Sequence, residues 1–404
     1  MGFIQKSVIA LFAVVFLSGF IGSGRLYAQQ DRVVAALVQA GFENVSLYEN
    51  DTVALYTIQN SAYKSQEVGV GKALDILSSF EELGNKRCKL VVLENNVPQI
   101  ALERPVLKEA AQMGRALWSA GYDLGTEWKM AKGATRENSS LFKADIVVYP
   151  ELIFQNYRLE RNYDIVANLN PTLEVSLWKG MKFTAQIIIP LYRDEVYSRI
   201  YGQVRPGYLS LTQSFRLPYR IFGQIVAGKF NNDRLGVDFR LRHWFYGNRF
   251  YVGGRVGYTT SSYFDQWKFY YGSKWRVTGE IEAGYYWKRY NTTFSVRGQR
   301  FLLKEYGVRL EMIRHLRYAS IGFYINKLEN AYLINNNGFN GGFLFQIALP
   351  PYKYKRRGYI PRVTTGEFPM RYNAGNEKYY GKAYMALPDD FAYTEFALHP
   401  NRCY

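Results

Sequence analysis

From Ala144 to Leu349 the chain is a succession of long, aromatic-rich segments in which apolar and polar residues alternate one by one. Between Asp164 and Trp178, one set of alternate positions holds Ile165, Ala167, Leu169, Pro171, Leu173, Val175 and Leu177. The other holds Asp164, Val166, Asn168, Asn170, Thr172, Glu174, Ser176 and Trp178. Successive side chains of a strand point to opposite faces, so this segment has one apolar and one mostly polar face. It exceeds the roughly 5–6 residues of an ordinary globular strand and suffices for a tilted membrane strand of about 9–11. The expected fold class is mainly β: an antiparallel transmembrane β-barrel of about 12 strands with a small N-terminal periplasmic α/β domain. A soluble β-sandwich or propeller also alternates and is the competing reading.

Thirteen segments carry the pattern. They are Asp145–Tyr157, Asp164–Trp178, Met181–Tyr192, Gly207–Pro218, Arg220–Phe230, Arg234–Phe245, Arg249–Thr260, Trp267–Gly272, Trp275–Trp287, Thr292–Leu303, Tyr306–Leu316, Tyr318–Leu328 and Gly341–Leu349. Losing or merging one leaves about twelve, and bacterial barrels have even strand numbers. An even number puts both barrel ends on one side, the periplasm. Tyr246-Gly247-Asn248 then reads as a tight turn there and Arg193–Pro206 as a surface loop.

The same parity assigns faces. Leu235, Val237, Phe239 and Leu241 form an outward column, as do Phe250, Val252, Val256 and Tyr258, and Val277, Ile281 and Tyr285. Facing the lumen are Asp238, Arg240, Arg242, Arg255, Arg276, Glu280, Glu282, Arg297, Arg309 and Glu311. Such sorting is expected in a membrane, because Arg or Lys on the lipid face at mid-depth costs roughly 2–4 kcal/mol. Two readings of the lumen stand: a plug of Arg–carboxylate pairs that stiffens a narrow barrel, or a path for an anionic glycan. The stretch Asn340-Gly341-Gly342-Phe343-Leu344-Phe345-Gln346-Ile347 resembles the assembly signal in the final strand of outer-membrane barrels. Asn340, Gly342, Phe345 and Ile347 carry that likeness.

Lys6, the apolar run Val8–Ile21 and Leu26-Tyr27-Ala28 fit a secretory signal peptide over residues 1–28. An uncleaved anchor is the alternative. The chain's 404 residues leave room for a domain before the barrel. Residues 29–125 read as an α/β domain with a helix–hairpin repeat. Arg32–Phe42 has helical spacing, and Val45–Tyr48 with Val53–Ile58 forms a hairpin. Val68–Phe80 is a second helix, Leu90–Leu93 with Gln99–Glu103 a second hairpin, and Pro105 starts a third helix through Tyr122. In that third helix Leu107, Ala110, Ala111, Ala116 and Leu117 would be buried. Residues 126–143 read as a linker and 144–350 as the barrel. A Tyr-rich basic tail covers 351–404, beginning Tyr352-Lys353-Tyr354-Lys355-Arg356-Arg357. It is read as an irregular, solvated stop segment that folds against the periplasmic domain, with binding of an acidic polymer or a partner as the alternative.

The net charge of +17 suits anionic lipid head groups or acidic polysaccharide better than nucleic acid in an exported protein. Cys88 and Cys403 could pair in an oxidising envelope, but the sequence does not place them together. Three histidines, His243, His315 and His399, are the only imidazoles, and no Gly-x-Ser-x-Gly, phosphate loop or metal spacing occurs. His243 or His315 could serve a barrel hydrolase as base, and Glu280 with Glu282 a glycosidase. Interfacial packing and barrel ion pairs explain them more simply, so no enzyme, cofactor or metal is expected.

Taken together, these segments resemble the YjbH-like (GfcD-like) exopolysaccharide and capsule proteins, in a short Bacteroidetes-type version. The likeness rests on Ala35-Ala36-Leu37 through Gly41-Phe42-Glu43-Asn44-Val45, on Gln59-Asn60-Ser61-Ala62-Tyr63, and on Ala227-Gly228-Lys229-Phe230 through Arg234-Leu235-Gly236-Val237-Asp238. Glu367-Phe368-Pro369 with Tyr372 completes it. The resemblance implies an outer-membrane barrel with periplasmic α/β modules that serves surface polysaccharide production or secretion. It supplies no catalytic residues. The partners expected are outer-membrane lipid, the barrel-assembly machinery, an anionic polysaccharide and other polysaccharide-export proteins. The alternatives are a barrel enzyme acting on lipid or glycan, and a structural subunit of an envelope secretion machine.

Overall fold

The computed structural model describes residues 32–80, 86–106, 118–155, 164–195, 198–231, 233–245, 247–329, 339–373, 381–391 and 398–400. The expected signal segment, the buried stripe of the third helix and Cys403 lie outside these residues.

The N-terminal unit begins with α1 (Arg32–Ala40), which buries Val33, Val34 and Leu37 on one face. Strands β1 (Glu43–Glu49) and β2 (Val53–Gln59) form the first hairpin. Helix α2 (Gln66–Ser79) opens on Ser65, whose Oγ accepts the Val68 N–H. It carries the chain to β3 (Arg87–Glu94), which pairs with β2 in parallel, as a helical crossover allows. Then β4 (Val97–Arg104) returns antiparallel to β3. The last described part of the expected third helix is instead a strand, β5 (Ser119–Gly121), on the free edge of β4. Pairing with an open sheet edge overrides the helix preference of alanine there. The expected linker is also ordered. It forms α3 (Trp128–Ala131) and then lies along β1, with Asn44 N–H to the Asn138 carbonyl at 2.8 Å and Glu137 N–H to the Val45 carbonyl at 2.9 Å.

The second sheet starts with β6 (Ala144–Gln155), β7 (Asp164–Trp178), β8 (Met181–Arg193), β9 (Arg205–Leu217), β10 (Ile221–Phe230), β11 (Arg234–Phe245) and β12 (Phe250–Asp265). It continues through β13 (Lys268–Tyr271), β14 (Arg276–Trp287), β15 (Thr292–Arg300), β16 (Tyr306–His315), β17 (Ala319–Glu329) and β18 (Phe339–Ala348). All but β13 follow one another as antiparallel neighbours. β13 pairs only with the distal end of β12 and stands off the path as a hairpin tip.

Two further strands come from the tail expected to be irregular: β19 (Arg362–Thr365) and β20 (Glu367–Asn373). β19 lies parallel to β6 and β20 antiparallel to β18, so the two ends of the path meet across Gly366. The path therefore has fourteen strands rather than about twelve, and the sheet is a nearly closed barrel. Arg362 fastens this seam with a fork onto Asp145, Nε to Oδ1 at 3.0 Å and Nη2 to Oδ2 at 2.6 Å. The stretch Asn340–Ile347 is thus not on the last strand, because β20 occupies the far edge of β18.

The faces sort by parity. Val237 is 45 % exposed, Phe239 37 % and Ile281 77 %, so no second layer covers the outer face as it would in a sandwich. Inward neighbours such as Asp238, Glu282 and Glu311 are buried. The N-terminal unit sits in one mouth. There Asn95 accepts the Gly180 N–H of the β7–β8 turn at 2.8 Å, Arg216 donates to the carbonyls of Gln99 and Tyr122, and Tyr122 packs on Phe222 and Trp244.

Candidate functional site

The site is the barrel lumen, and it is already partly filled. After β20 the chain re-enters at the far mouth, where Lys382 accepts the Leu302 N–H at 3.0 Å and Tyr384 stacks on Phe230 at 5.4 Å. It then passes a short helical turn at Pro388–Phe391. It reaches the mouth that holds the N-terminal unit, where His399 Nε2 meets the Asn248 carbonyl and the ring packs on Trp244 and Tyr286. The tail thus has three parts. Residues 352–356 do pack on the N-terminal unit, through Lys64 N–H to the Tyr352 carbonyl at 2.9 Å and Arg356 to Glu43 at 2.8 Å. Residues 362–373 complete the sheet, and the described residues beyond 381 lie inside it.

Inward parity brings most of the named charges into one belt across β11, β12, β14, β15 and β16. Asp238, fully buried, accepts Arg255 Nε at 2.7 Å and the Tyr384 hydroxyl at 2.6 Å, with Arg240 at 3.4 Å. Arg240 grips Asp390 with two bonds, 2.7 and 2.9 Å. Glu282 accepts Arg242 at 2.9 Å, Arg297 at 3.1 Å and the Tyr251 hydroxyl at 2.8 Å. Arg297 reaches on to Glu311 at 3.0 Å, and Arg309 meets Glu311 at 2.6 Å while lying over Tyr324. Glu280 accepts Gln299. Arg276 stands apart at the far rim, on the Leu302 carbonyl at 3.0 Å. Buried ion pairs of this kind hold geometry more than they add stability, since desolvation offsets much of their attraction.

Of the assembly-signal residues, Asn340 and Gly342 share the inward parity of buried Leu344, while Phe345 and Ile347 take the other face. Gly342 leaves no room for a side chain, because a Cβ would stand 1.8 Å from the Tyr372 carbonyl of β20. The histidines sit in different settings. His243 stacks on Phe245, His315 Nε2 pairs with the Thr293 hydroxyl at 3.0 Å, and His399 lies in the mouth.

Sequence parity missed a second cluster, in which three parts of the chain meet. The Tyr149 hydroxyl of β6 lies within hydrogen-bond reach of both Glu174 of β7 and Asp389 of the inner segment and has one proton to share between them, and Lys182 of β8 holds Glu174 at 3.0 Å. Glu94, at the tip of the β3–β4 turn, accepts Gln66 at 3.2 Å. It lines the cavity, and desolvation among the surrounding groups raises its carboxyl, against the pull of Lys182. Burial lowers Lys64, opposed by Glu367 and Asp389. The signal available was the adjacent acids Asp389-Asp390 in a basic, Tyr-rich tail.

No family model matches this sequence, and neither a curated protein nor a solved structure matches the chain.

Between the wall, the inner segment and the N-terminal unit remains a cavity of about 1380 Å³. That exceeds the roughly 300–1,000 Å³ of a small-molecule pocket and runs along the lumen. Among the described residues no group of His, Cys, Asp and Glu could hold a metal ion.

Proposed function

We propose that this chain is an outer-membrane barrel that assists export or assembly of exopolysaccharide, and that its lumen is the route or holding site for the polymer. One observation carries the reading: a nearly closed sheet turns exposed apolar side chains outward and charged ones inward. That inside-out sorting suits hydrocarbon around the sheet and a polar lumen within it. Side chains such as Phe239, Val256 and Ile281 would meet lipid, with the N-terminal unit on the periplasmic side.

The YjbH-like resemblance adds support, because its segments fall at structural joints. Gly41 through Asn44 is the α1–β1 corner, where Glu43 binds both Lys143 and Arg356. Ala62 accepts the Tyr354 N–H at 2.7 Å. Ala227 through Asp238 spans the β10–β11 hairpin, and Glu367 through Tyr372 is the closing strand β20. In this state the inner segment narrows the lumen, so passage of a polymer requires that segment to move.

Two measurements on a deletion strain and its complemented partner test the reading. Envelope fractionation with heat-modifiable gel mobility should place the protein in the outer membrane as a folded barrel. Surface polysaccharide should fall in the deletant and return on complementation. Unchanged polysaccharide in the deletant would remove the functional claim.

A further inference from the structure

We propose that the inner wall of β7–β10 is a contact strip for an uncharged, polyhydroxylated glycan, an inference that rests on the polysaccharide reading above and names its substrate class. The lumen wall is chemically divided. Along β11 to β16 its guanidinium groups are committed: Arg240, Arg255, Arg297 and Arg309 each hold a carboxylate of this chain. Across β7 to β10 the mid-wall residues are amides and hydroxyls instead, with the cations Lys182, Arg205 and Lys229 placed toward the strand ends. Asn168, Asn170, Gln186, Thr212 and Gln224 all line the cavity.

The orientation of this strip decides what it can accept. Asn168 and Asn170 both donate their amide nitrogens to the same Glu151 oxygen, at 2.8 and 3.1 Å. This fixes the amides and leaves their Oδ1 atoms over. Gln186 likewise spends its nitrogen on Thr172 at 2.9 Å, and Gln224 on Ser214 at 3.2 Å. Asn168 Oδ1, Asn170 Oδ1, Thr212 Oγ1 and Gln224 Oε1 have no hydrogen-bond partner among the described residues, although these residues are only 4, 5, 1 and 7 % exposed.

Buried polar atoms are nearly always satisfied, so unmet acceptors on three strands mark a place where donors belong. An anionic polymer would bring more acceptors against carbonyl oxygens and the Glu151 carboxylate, and like charges across an interface are penalised. Sugar hydroxyls donate readily and carry no charge, and they also accept from Thr212. The strip therefore favours a neutral glycan, while Arg240, Arg255, Arg297 and Arg309 across the lumen are engaged by the protein's own acids and Arg205, at the far end of β9, by backbone carbonyls.

The test uses the purified full chain in detergent micelles, titrated calorimetrically with neutral probes, maltoheptaose and an isomalto-oligosaccharide, and with oligogalacturonate of similar length. At least one neutral probe should bind tenfold or more tighter than oligogalacturonate. Asn170→Leu and, separately, Gln224→Leu should each weaken that binding at least tenfold while heat-modifiable mobility is retained. The two substitutions lie on different strands, so misfolding of one leaves the other as the test. Equal or tighter binding of oligogalacturonate, absence of binding by both neutral probes, or unchanged affinity in a folded variant overturns the strip.

The deletion strain separates this failure from that of the broader reading. If the wild-type chain restores polysaccharide and the Asn170→Leu/Gln224→Leu double variant restores it equally, the strip is refuted and the export role stands. If the deletant has no polysaccharide defect, the export role itself falls.

Discussion

The inner segment is tied to the barrel wall by the fork between Arg240 of β11 and Asp390. Asp390 accepts both guanidinium nitrogens, at 2.7 and 2.9 Å, and its Oδ2 also takes the N–H groups of Ala386 and Leu387 at 2.9 and 3.1 Å. Removing one partner of a buried pair costs about 3–5 kcal/mol, because the other charge is stranded. Arg240 keeps Asp238 at 3.4 Å, so Asp390→Ala belongs at the low end, about 3 kcal/mol, or roughly 150-fold in the population of released segment. Limited trypsinolysis after Lys382 reads this directly. In the docked state the Lys382 carbonyl is held by the Leu302 N–H, and when reclosing outpaces cleavage the rate follows the open population. The double variant Arg240→Met/Asp390→Leu removes both charges and should recover a large part of the loss, though not the two backbone N–H contacts. Cleavage of Asp390→Ala at the wild-type rate, or a double variant as open as the single one, would refute the latch.

Three further outcomes follow from the same geometry. Gly257→Leu should release the segment without touching any charge, because a Cβ at Gly257 would stand 1.7 Å from the Tyr384 hydroxyl; trypsin sensitivity at Lys382 should rise while heat-modifiable mobility persists, and an unchanged digest contradicts it. Ile281→Arg, at a position 77 % exposed on the outer face, should cost about 2–4 kcal/mol if that face meets lipid at mid-depth. The readout is lower yield of folded protein in the outer membrane, and full assembly would point to an aqueous exterior. Burial pushes the Cys88 thiol from 9.0 up to about 12, with Arg104 opposing. In a Cys403→Ser background, disulfide-exchange labelling at mildly alkaline pH should therefore run roughly 1,000-fold slower in the folded protein than after denaturation, following the thiolate fraction.

Period-two alternation made the barrel legible because each strand meets two different environments, one on each side. β11 runs from Arg234 to Phe245, the range its alternation marks, and the inward set Asp238, Arg240 and Arg255 follows from the same count. What alternation cannot show is who stands opposite. β13 has a strand's sequence, yet only pairing reveals that it leaves the ring. β19 is four residues long and its partner β6 lies more than two hundred positions away, while β20 is seven residues long, contains Pro369 and pairs with β18. The third expected helix fails for a related reason, since Ser119–Gly121 answers to the edge of β4 rather than to its own propensity.

The charge count of the lumen shows where such local reading can still be pushed further. Arg240, Arg242 and Arg255 face inward from β11 and β12 with Asp238 the single acid beside them on those two strands at that level. Buried guanidinium groups need acceptors, and with Arg242 taken by Glu282 of β14 and Arg255 by Asp238, Arg240 calls for a partner from elsewhere. An external glycan was one solution. The structure places another there, Asp390, delivered by a segment 150 residues downstream that turns back into the barrel. A surplus of inward charge on consecutive strands therefore indicates a missing partner without identifying it. In a chain whose basic tail also holds an adjacent acid pair, the first place to look is the chain itself.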